Sequence, residues 1–195
     1  VYFDTSNSYS EYYKIFNKIS GHQIILKLSP AQNIDNFEIW TMKIVKKYLK
    51  IFNIKSFYAI MIHNEDILDH SYFSIFYKSL KHLKQKKITN KIGISIYNFK
   101  DILKNINLYK FDIIQCPFSL IDQRLLENDL LYKLKKNNVE IHIRSIFLQG
   151  LIFKSKLNPY FNKWKKLLIK IENFSKKNSL TKLEVALFYT LNFYQ

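Results

Sequence analysis

Four polar side chains stand at or just past the ends of the first three apolar, strand-like runs of the chain. They are Asp4, Tyr9, Lys27 and His63. A phenol has a pKa of about 10, so it keeps its proton at neutral pH, and a nearby ammonium group makes it a stronger acid. A carboxylate can neutralise and position that ammonium group, and an imidazole can donate a hydrogen bond to a substrate oxygen. Such a set is suited to protonating a carbonyl oxygen, and it predicts a reductase.

Each of these residues also has an ordinary structural interpretation. The chain contains 14 tyrosines, and a tyrosine most often packs in a core, while Asp4 before Thr5 could simply form a turn. Lys27 is less ordinary, because it ends an apolar run and an unpaired ammonium group is rarely buried. The remaining histidines are interpreted as core or loop residues: His22, His70, His82 and His142. The four residues therefore predict chemistry as a set and not singly.

Apolar runs of four to eight residues alternate with longer amphipathic stretches along the whole chain, which is typical of repeated βα units and a parallel sheet. Strands are predicted at residues 1–5, 23–28, 57–62, 91–96, 113–116 and 139–145. Helices are predicted near residues 11–19, 36–52, 72–86, 99–105 and 124–137, with two more after residue 160. Six such units in one chain favour a barrel.

The residues that begin and end these elements agree with the assignment. Asp35 or Asn36 is expected to cap the second helix, and Ser179 the last. The chain has only three glycines, so asparagine is expected to occupy many of the left-handed turn positions. Glycines so few and so distant cannot form a G-x-G-x-x-G loop, and a dinucleotide would need another mode of binding.

Length limits what the chain can contain. The 195 residues, of which 48% are hydrophobic, are enough for one domain with a sizeable core. A complete eight-stranded α/β barrel usually needs about 250 residues. The chain starts inside a predicted strand and stops inside an apolar helical run. We therefore expect a single, partial barrel domain over residues 1–195, truncated at both ends.

The formal charge of +16, from 31 basic and 15 acidic residues, raises the question of nucleic-acid or acidic-membrane binding. Most of the lysines fall on the predicted outer faces of helices. Only two arginines, Arg124 and Arg144, are present, whereas phosphate and base-edge recognition favours the arginine fork. We interpret the charge as solvated helix faces and predict neither a nucleic-acid nor a membrane partner.

The single cysteine, Cys116, lies in an apolar run. One cysteine cannot form an intramolecular disulfide or a multi-cysteine metal site, so we expect a buried thiol, no metal and a reducing, cytoplasmic environment. No uncharged apolar stretch of about 18 residues appears, so no membrane span is predicted. No intact signal peptide is visible, but a leader could precede the first strand that is expected to be missing.

Several segments of the chain resemble the aldo-keto reductase family in their order and spacing. Residues 2–11, YFDTSNSYSE, resemble its D-T-x-x-x-Y-G-x-E motif, with Ser10 where glycine is usual. Residues 24–27 look like the strand that ends in the family's catalytic lysine, and residues 58–64 like the strand that ends in its histidine and asparagine. Residues 91–97, 112–115 and 140–145 resemble the next three strands, so the resemblance covers nearly the whole chain.

This resemblance implies an α/β fold, an incomplete (β/α)8 TIM barrel in which strands two to seven and their helices are present. It implies an active site at the carboxyl ends of the strands, with Asp4, Tyr9, Lys27 and His63 as catalytic residues. Asn64 would contact the substrate. The implied cofactor is NADPH, with NADH as the alternative, and the residues implied in its binding are Ser95, Gln115, Arg144, Ser145, Gln149 and Gly150.

The implied reaction is the reduction of a small aldehyde or ketone to an alcohol. A likeness to a bacterial subgroup associated with surface-sugar gene clusters suggests a sugar-derived substrate. Three positions depart from the family pattern: Ser10, Ile96 where asparagine is common, and Arg144 where an aromatic residue is common. These departures keep open a non-catalytic cofactor-binding or regulatory barrel. The two strands expected to be missing keep open an inactive piece of an enzyme. Nothing in the pattern selects an oligomeric state.

Overall fold

The structure is a computed structural model, and it describes residues 2–9, 22–100 and 102–193. Six strands occur in these ranges: β1 (Tyr2–Ser6), β2 (Gln23–Leu28), β3 (Phe57–Ile62), β4 (Thr89–Ser95), β5 (Ile113–Pro117) and β6 (Glu140–Arg144). The α-helices are α1 (Phe37–Phe52), α2 (Phe73–Gln85), α3 (Ile102–Tyr109), α4 (Leu130–Lys136), α5 (Lys165–Lys177) and α6 (Lys182–Leu191). Short 3₁₀ helices span Glu65–Asp69, Arg124–Asp129, Leu148–Phe153 and Pro159–Trp164.

The strands form one sheet in the order β1-β2-β3-β4-β5-β6, and the neighbours from β1 to β5 pair in parallel. A helix separates each strand from the next between β2 and β6. Sequential parallel strands joined by helices are the order of a (β/α) barrel, and this confirms the predicted fold class. The predicted helix at residues 11–19 lies outside the described residues.

The chain divides into two compact units. The first contains Val1–Gln115 and Leu134–Ile141, and the second contains Cys116–Lys133 and His142–Gln195. The single domain expected over residues 1–195 stays a prediction.

The core of the first unit is built from strands that are buried along nearly their whole length. In β3, Ala59, Ile60 and Met61 are all fully buried, as expected for a parallel strand covered on both faces. Helix α1 contributes Val45 and helix α2 contributes Phe76 to the buried residues. The hydroxyls of Thr41 and Ser79 join these helices at 3.0 Å, so two buried polar groups satisfy each other. This core fixes β2, which contains Lys27, and β3, which His63 follows directly.

Side chains cap several of the helices, and not all of these caps were predicted from the sequence. Asn36 caps α1 by accepting a hydrogen bond from the backbone of Ile39, as predicted. Three asparagines, Asn53, Asn128 and Asn138, have positive φ, but seven other non-glycine residues in the described ranges do as well, so asparagine takes only some of the left-handed positions predicted for it. The predicted cap of the last helix was wrong, because Thr181 and not Ser179 forms a capping box with Glu184.

The helix predicted at residues 124–137 is broken. A 3₁₀ helix covers Arg124–Asp129, and α4 begins only at Leu130. Glu127 has ψ of 141° and Asn128 has φ of 52°, so the backbone leaves the helical region between the two segments. The apolar spacing continues through this break, and for that reason periodicity alone did not reveal it.

In the second unit, helices α5 and α6 pack through Ile171 and Ala186, together with Ile152 from a 3₁₀ helix. Phe118 stacks on Tyr189, with ring centroids 5.6 Å apart. Among the described residues, no helix is long and apolar enough to cross a membrane.

Gly93 allows β4 to approach β5 closely. A Cβ atom at this position would lie 2.8 Å from the carbonyl oxygen of Ile113 and 3.0 Å from Cε of Met61. We predict that Gly93→Ala lowers the free energy of unfolding by about 1–3 kcal/mol. The added methyl group would collide with the backbone of Ile113, which cannot move aside as the end of a flexible side chain can. Urea denaturation measures this change in the free energy of unfolding. The matched control is Asn90→Ala at an exposed position of the same strand, where equal destabilisation would contradict the steric explanation.

Candidate active site

The site begins with an ion pair between the first two strands. Lys27 is only 5% exposed, and its Nζ lies 2.8 Å from Oδ2 of Asp4. The parallel register pairs Asp4 with Ile25 and Ser6 with Lys27, so the carboxylate and the ammonium group come from adjoining strands. An ammonium group buried this deeply needs such a partner, because burial alone disfavours its charged form.

The Asp4 carboxyl is held in its ionised form. Burial opposes ionisation, but the Lys27 ammonium and the hydrogen bonds from Lys27 and Gln115 more than offset it, so the pKa of Asp4 lies below its usual value. A protonated His63 would act in the same direction. Asp4 is therefore a fixed negative charge beside Lys27 at neutral pH.

Gln115 extends this pair from β5. Its Nε2 donates to Oδ2 of Asp4 over 2.8 Å, and an ionised carboxylate only accepts, which fixes the orientation of the amide. The other amide atom, Oε1, is buried and has no hydrogen-bond partner in the described part of the chain. A buried acceptor of this kind is costly unless something donates to it. The side chain thus presents an unused acceptor next to the Lys27–Asp4 pair.

His63 follows β3 directly. Its backbone N–H donates to the carbonyl oxygen of Leu28 over 3.1 Å, which ties the start of this loop to β2. Its Nδ1 lies near serine hydroxyls at distances of 2.9 Å for Ser29, 3.0 Å for Ser6 and 3.2 Å for Ser8. These serines could not be predicted as neighbours of His63 from the sequence, because only the register of the strands brings them to the imidazole.

Tyr9 lies beside the same imidazole. Its ring stands edge-on to His63 with centroids 5.5 Å apart, and the residue is 45% exposed. Its backbone N–H donates to the carbonyl oxygen of Ser6 over 3.2 Å. The tight turn after β1 therefore brings the phenol of Tyr9 to the histidine that follows β3. Ser10 and Glu11, the rest of the motif, lie outside the described residues.

Asn64, predicted to contact the substrate, has a local role. Its side chain accepts from the backbone of Asp66 and donates to the Asp66 carboxylate at 2.6 Å, so it caps the 3₁₀ helix Glu65–Asp69. Its contact with a substrate stays a prediction.

The residues predicted for the cofactor divide between the two units. In the first unit, Ser95 is buried and pairs in register with Gln115 on the neighbouring strand. The next residue, Ile96, is also buried, and its side chain offers no hydrogen-bonding group.

In the second unit, Arg144 ends β6, and its carbonyl oxygen accepts from Phe118 over 3.2 Å. The loop that follows has positive φ at Ser145, Gln149 and Gly150, with values of 63°, 54° and 83°. Leu148 has positive φ as well, and the same backbone occurs at ordinary helix ends such as the C-cap Asn53, so it does not by itself indicate a function. Cofactor binding by Arg144, Ser145, Gln149 and Gly150 stays a prediction.

The sequence of the chain matches one protein family. The sequence model of the Aldo/keto reductase family matches residues 2–194. The chain belongs to the Aldo/keto reductase family. A search of curated protein sequences found no significant match.

Solved structures of aldo-keto reductases have the same fold. The chain superimposes on a glycerol dehydrogenase from Gluconobacter oxydans with a TM-score of 0.76 and 18% identity, covering 98% of this chain and 68% of that one. An aldo-keto reductase from Bacillus halodurans in its holo form matches with a TM-score of 0.63 and 16% identity, covering 81% of this chain and 56% of that one. An aldo/keto reductase from Brucella melitensis matches with a TM-score of 0.70 and 14% identity, covering 98% of this chain and 69% of that one. The chain thus spans 56% to 69% of the length of these relatives.

Aldo-keto reductases are oxidoreductases that reduce carbonyl compounds, generally with a nicotinamide cofactor. The residues of the first unit fit such a group. A nicotinamide carboxamide has N–H donors, and the buried Oε1 of Gln115 is an acceptor without a partner in the described chain. Ser95 on the adjoining strand adds a hydroxyl that can donate or accept.

A second polar cluster of the first unit lies nearer the amino ends of the strands. The hydroxyl of Tyr58 donates to the carboxylate of Glu140 at 2.6 and 2.8 Å, and Nζ of Lys91 donates to both residues. Burial, together with the hydrogen bond to Glu140, raises the pKa of Tyr58 to about 12. The amino-terminal face of a barrel generally serves stability, and we assign this cluster to the fold.

Replacing Asp4 should expose the cost of the buried ammonium group. We predict that Asp4→Asn lowers the free energy of unfolding at pH 7 by about 1–3 kcal/mol, because Lys27 loses its counter-charge. The pKa of Asp4 is lower in the folded chain, so its contribution is present above the unfolded pKa, near 4, and is lost as pH falls through the folded value.

Urea denaturation between pH 3 and 7 measures both effects, with the exposed Asp69→Asn as the matched control. The difference between wild type and Asp4→Asn should shrink as the solution is acidified below pH 4. A difference that stays constant over this range would contradict the ion-pair explanation.

Proposed function

We propose that the chain contains the catalytic residues of an NADPH-dependent reductase, which converts an aldehyde or ketone to an alcohol with Tyr9 as the proton donor. The observation that supports this most is the ion pair of the buried Lys27 with the Asp4 carboxylate, which also binds Gln115, with His63 and Tyr9 at the same ends of the strands. Packing alone does not explain a lysine at this core position, since a methionine would fill a similar volume without the cost of burying a charge.

Each residue then has a role in delivering one proton. The Tyr9 hydroxyl protonates the oxygen of the former carbonyl group, and the ammonium group of Lys27 stabilises the tyrosinate that remains. Asp4 keeps the ammonium group charged and in place, since its carboxylate is ionised at neutral pH. The His63 imidazole donates a hydrogen bond to the carbonyl oxygen and sets its angle to the phenol.

A bound nicotinamide cofactor would supply the hydride for the carbonyl carbon. Gln115 and Ser95 would hold its carboxamide, and Arg144, Ser145, Gln149 and Gly150 are proposed, on the family pattern alone, to contact its other parts. NADPH is favoured over NADH by the family pattern, and a positive field from the chain's +16 charge attracts an anionic cofactor.

The proposed substrate is a small carbonyl compound with hydroxyl groups. The sequence suggests a sugar-derived substrate, and such a compound carries several hydroxyl groups. One structural relative is named a glycerol dehydrogenase, so glyceraldehyde is a suitable first probe. We propose that the reaction takes place in the cytoplasm.

The decisive variant is Tyr9→Phe in the full-length protein. We expect turnover of NADPH with glyceraldehyde to fall at least 100-fold, since a general acid contributes about 10²–10⁴-fold. NADPH affinity, measured by fluorescence titration, should stay within a factor of two. Tyr132→Phe, at an exposed tyrosine, is the matched control. An unchanged rate in Tyr9→Phe would refute the assignment of the proton donor.

The cofactor assignment has its own variant. Gln115→Met keeps the length of the side chain but removes its amide, so we expect the Kd for NADPH to rise by about 5- to 100-fold, the effect of one or two buried hydrogen bonds. Fluorescence titration of NADPH measures the change, and exposed Gln85→Met serves as the control. Equal affinity in both variants would show that Gln115 does not bind the carboxamide.

The second candidate is a barrel that binds the cofactor without catalysis. Two observations favour it: the apolar, buried Ile96 beside Ser95, and the engagement of Asn64 in a helix cap. This candidate predicts NADPH binding with no turnover on a broad panel of aldehydes and ketones, whereas the reductase predicts both. A glyceraldehyde-dependent loss of NADPH absorbance that requires Tyr9 would exclude it.

A further inference from the structure

The imidazole of His63 has an unusual environment at one of its two nitrogens. Three serine hydroxyls approach Nδ1, and the nearest, Oγ of Ser29, lies 2.9 Å away. Ser6 follows at 3.0 Å and Ser8 at 3.2 Å. Every one of these groups is a hydroxyl, which can donate its own proton as well as accept one. The direction of the hydrogen bond at Nδ1 therefore decides where the imidazole carries its proton.

Counting protons favours one direction. Ser6 Oγ accepts from the backbone N–H of Ser8 at 3.1 Å and lies 2.8 Å from Ser8 Oγ, so one hydroxyl proton of this pair is used between the two serines and the other needs a further acceptor. Ser29 Oγ has only Nδ1 of His63 as a hydrogen-bond partner within the described residues. If Nδ1 carried the proton, the hydroxyl proton of Ser29 would lose this acceptor. If Nδ1 accepts, the contact uses the hydroxyl proton, and a neutral imidazole then carries its own proton on Nε2.

Ser29 is held in place by a separate set of contacts. Its backbone N–H donates to Oδ1 of Asn7 over 2.7 Å, and Nδ2 of Asn7 donates to its carbonyl oxygen over 3.4 Å. Asn7 in turn donates its backbone N–H to the carbonyl oxygen of Lys27 over 3.1 Å. The two loops that follow β1 and β2 are thus joined, and the backbone of Ser29 is held where its hydroxyl reaches Nδ1 of His63.

We propose that Ser29 is a positioning residue that donates its hydroxyl proton to Nδ1 of His63 and so keeps the neutral imidazole in the Nε2–H tautomer, with Ser6 and Ser8 as further hydroxyls at the same nitrogen. This inference rests on the proposed function in one respect, since the Nε2–H group is the one that would donate to the substrate carbonyl. The opposite tautomer would present a bare nitrogen lone pair, which repels a carbonyl oxygen.

The primary test is the tautomer itself, observed without any substrate. Long-range ¹⁵N–¹H correlation spectra of the ¹⁵N-labelled chain report which imidazole nitrogen carries the proton, and the spectrum of His63→Gln assigns the signals. We expect the Nε2–H form to predominate for neutral His63 in the wild type. In Ser29→Ala the ratio of Nε2–H to Nδ1–H should fall by about two- to tenfold, which is the equilibrium effect of one hydrogen bond.

Three further variants separate this role from general packing. Ser29→Thr retains a hydroxyl and should keep the wild-type ratio, while exposed Ser74→Ala should leave the spectrum unchanged. The triple variant Ser6→Ala, Ser8→Ala, Ser29→Ala should shift the ratio at least as far as Ser29→Ala. A wild-type spectrum dominated by Nδ1–H would overturn the proposal without reference to any variant. An unchanged ratio in both Ser29→Ala and the triple variant would also overturn it.

Kinetics in the full-length protein distinguish this inference from the proposed function. Ser29→Ala should lower kcat for glyceraldehyde while the Kd for NADPH stays within a factor of two, and Ser29→Thr should restore kcat. A wild type with the Nε2–H tautomer but no reductase activity would refute the function and support the role of Ser29. An active wild type with the Nδ1–H tautomer would support the function and refute the role of Ser29.

Discussion

The burial of one ammonium group constrains the site more than any other interaction. Lys27 stands between the core residues Leu26 and Leu28 and is 5% exposed, so its charge is stable only with a partner in contact. Asp4 on the adjoining strand is that partner, and its own charge is stabilised in return. Because the carboxylate has room for more than one donor, it also fixes the amide of Gln115 from β5. One electrostatic requirement thus orients side chains from three strands.

The sheet makes these contacts possible because its strands are parallel and in sequential order. In such a sheet the carboxyl ends of all strands meet at one edge, and residues distant in sequence become neighbours there. Asp4 and Gln115 are 111 residues apart and share a hydrogen bond of 2.8 Å. The same geometry brings the loops after β1, β2 and β3 together around His63. The core sets the position of the strands, and the strand ends then supply the chemistry.

Much of this could be predicted from the sequence, and the reasons for success and failure are physical. The bounds of β2 and β3 follow from unbroken apolar runs, which mark strands buried on both faces. Lys27 was found because a charge at the end of such a run is anomalous. Ser29 was not found, since an isolated serine in a loop has no local signal, and its role depends on the register between strands. Asn128 was missed because apolar periodicity continues through the break that its left-handed backbone creates.

The cluster of Tyr58, Lys91 and Glu140 explains why residue types alone do not define a proton donor. It contains the same three groups as the candidate site: a phenol, an ammonium group and a carboxylate. Here the phenol donates to the carboxylate, which stabilises its protonated form, and with burial this raises the pKa of Tyr58 to about 12. At the other end of the strands, Asp4 binds Lys27 and Gln115 instead. Both carboxylates neutralise a lysine, but Glu140 also accepts from the phenol of Tyr58, whereas Asp4 accepts from the amide of Gln115. The contacts of the carboxylate, and not the residue types alone, therefore distinguish the Tyr58 cluster from the proposed site.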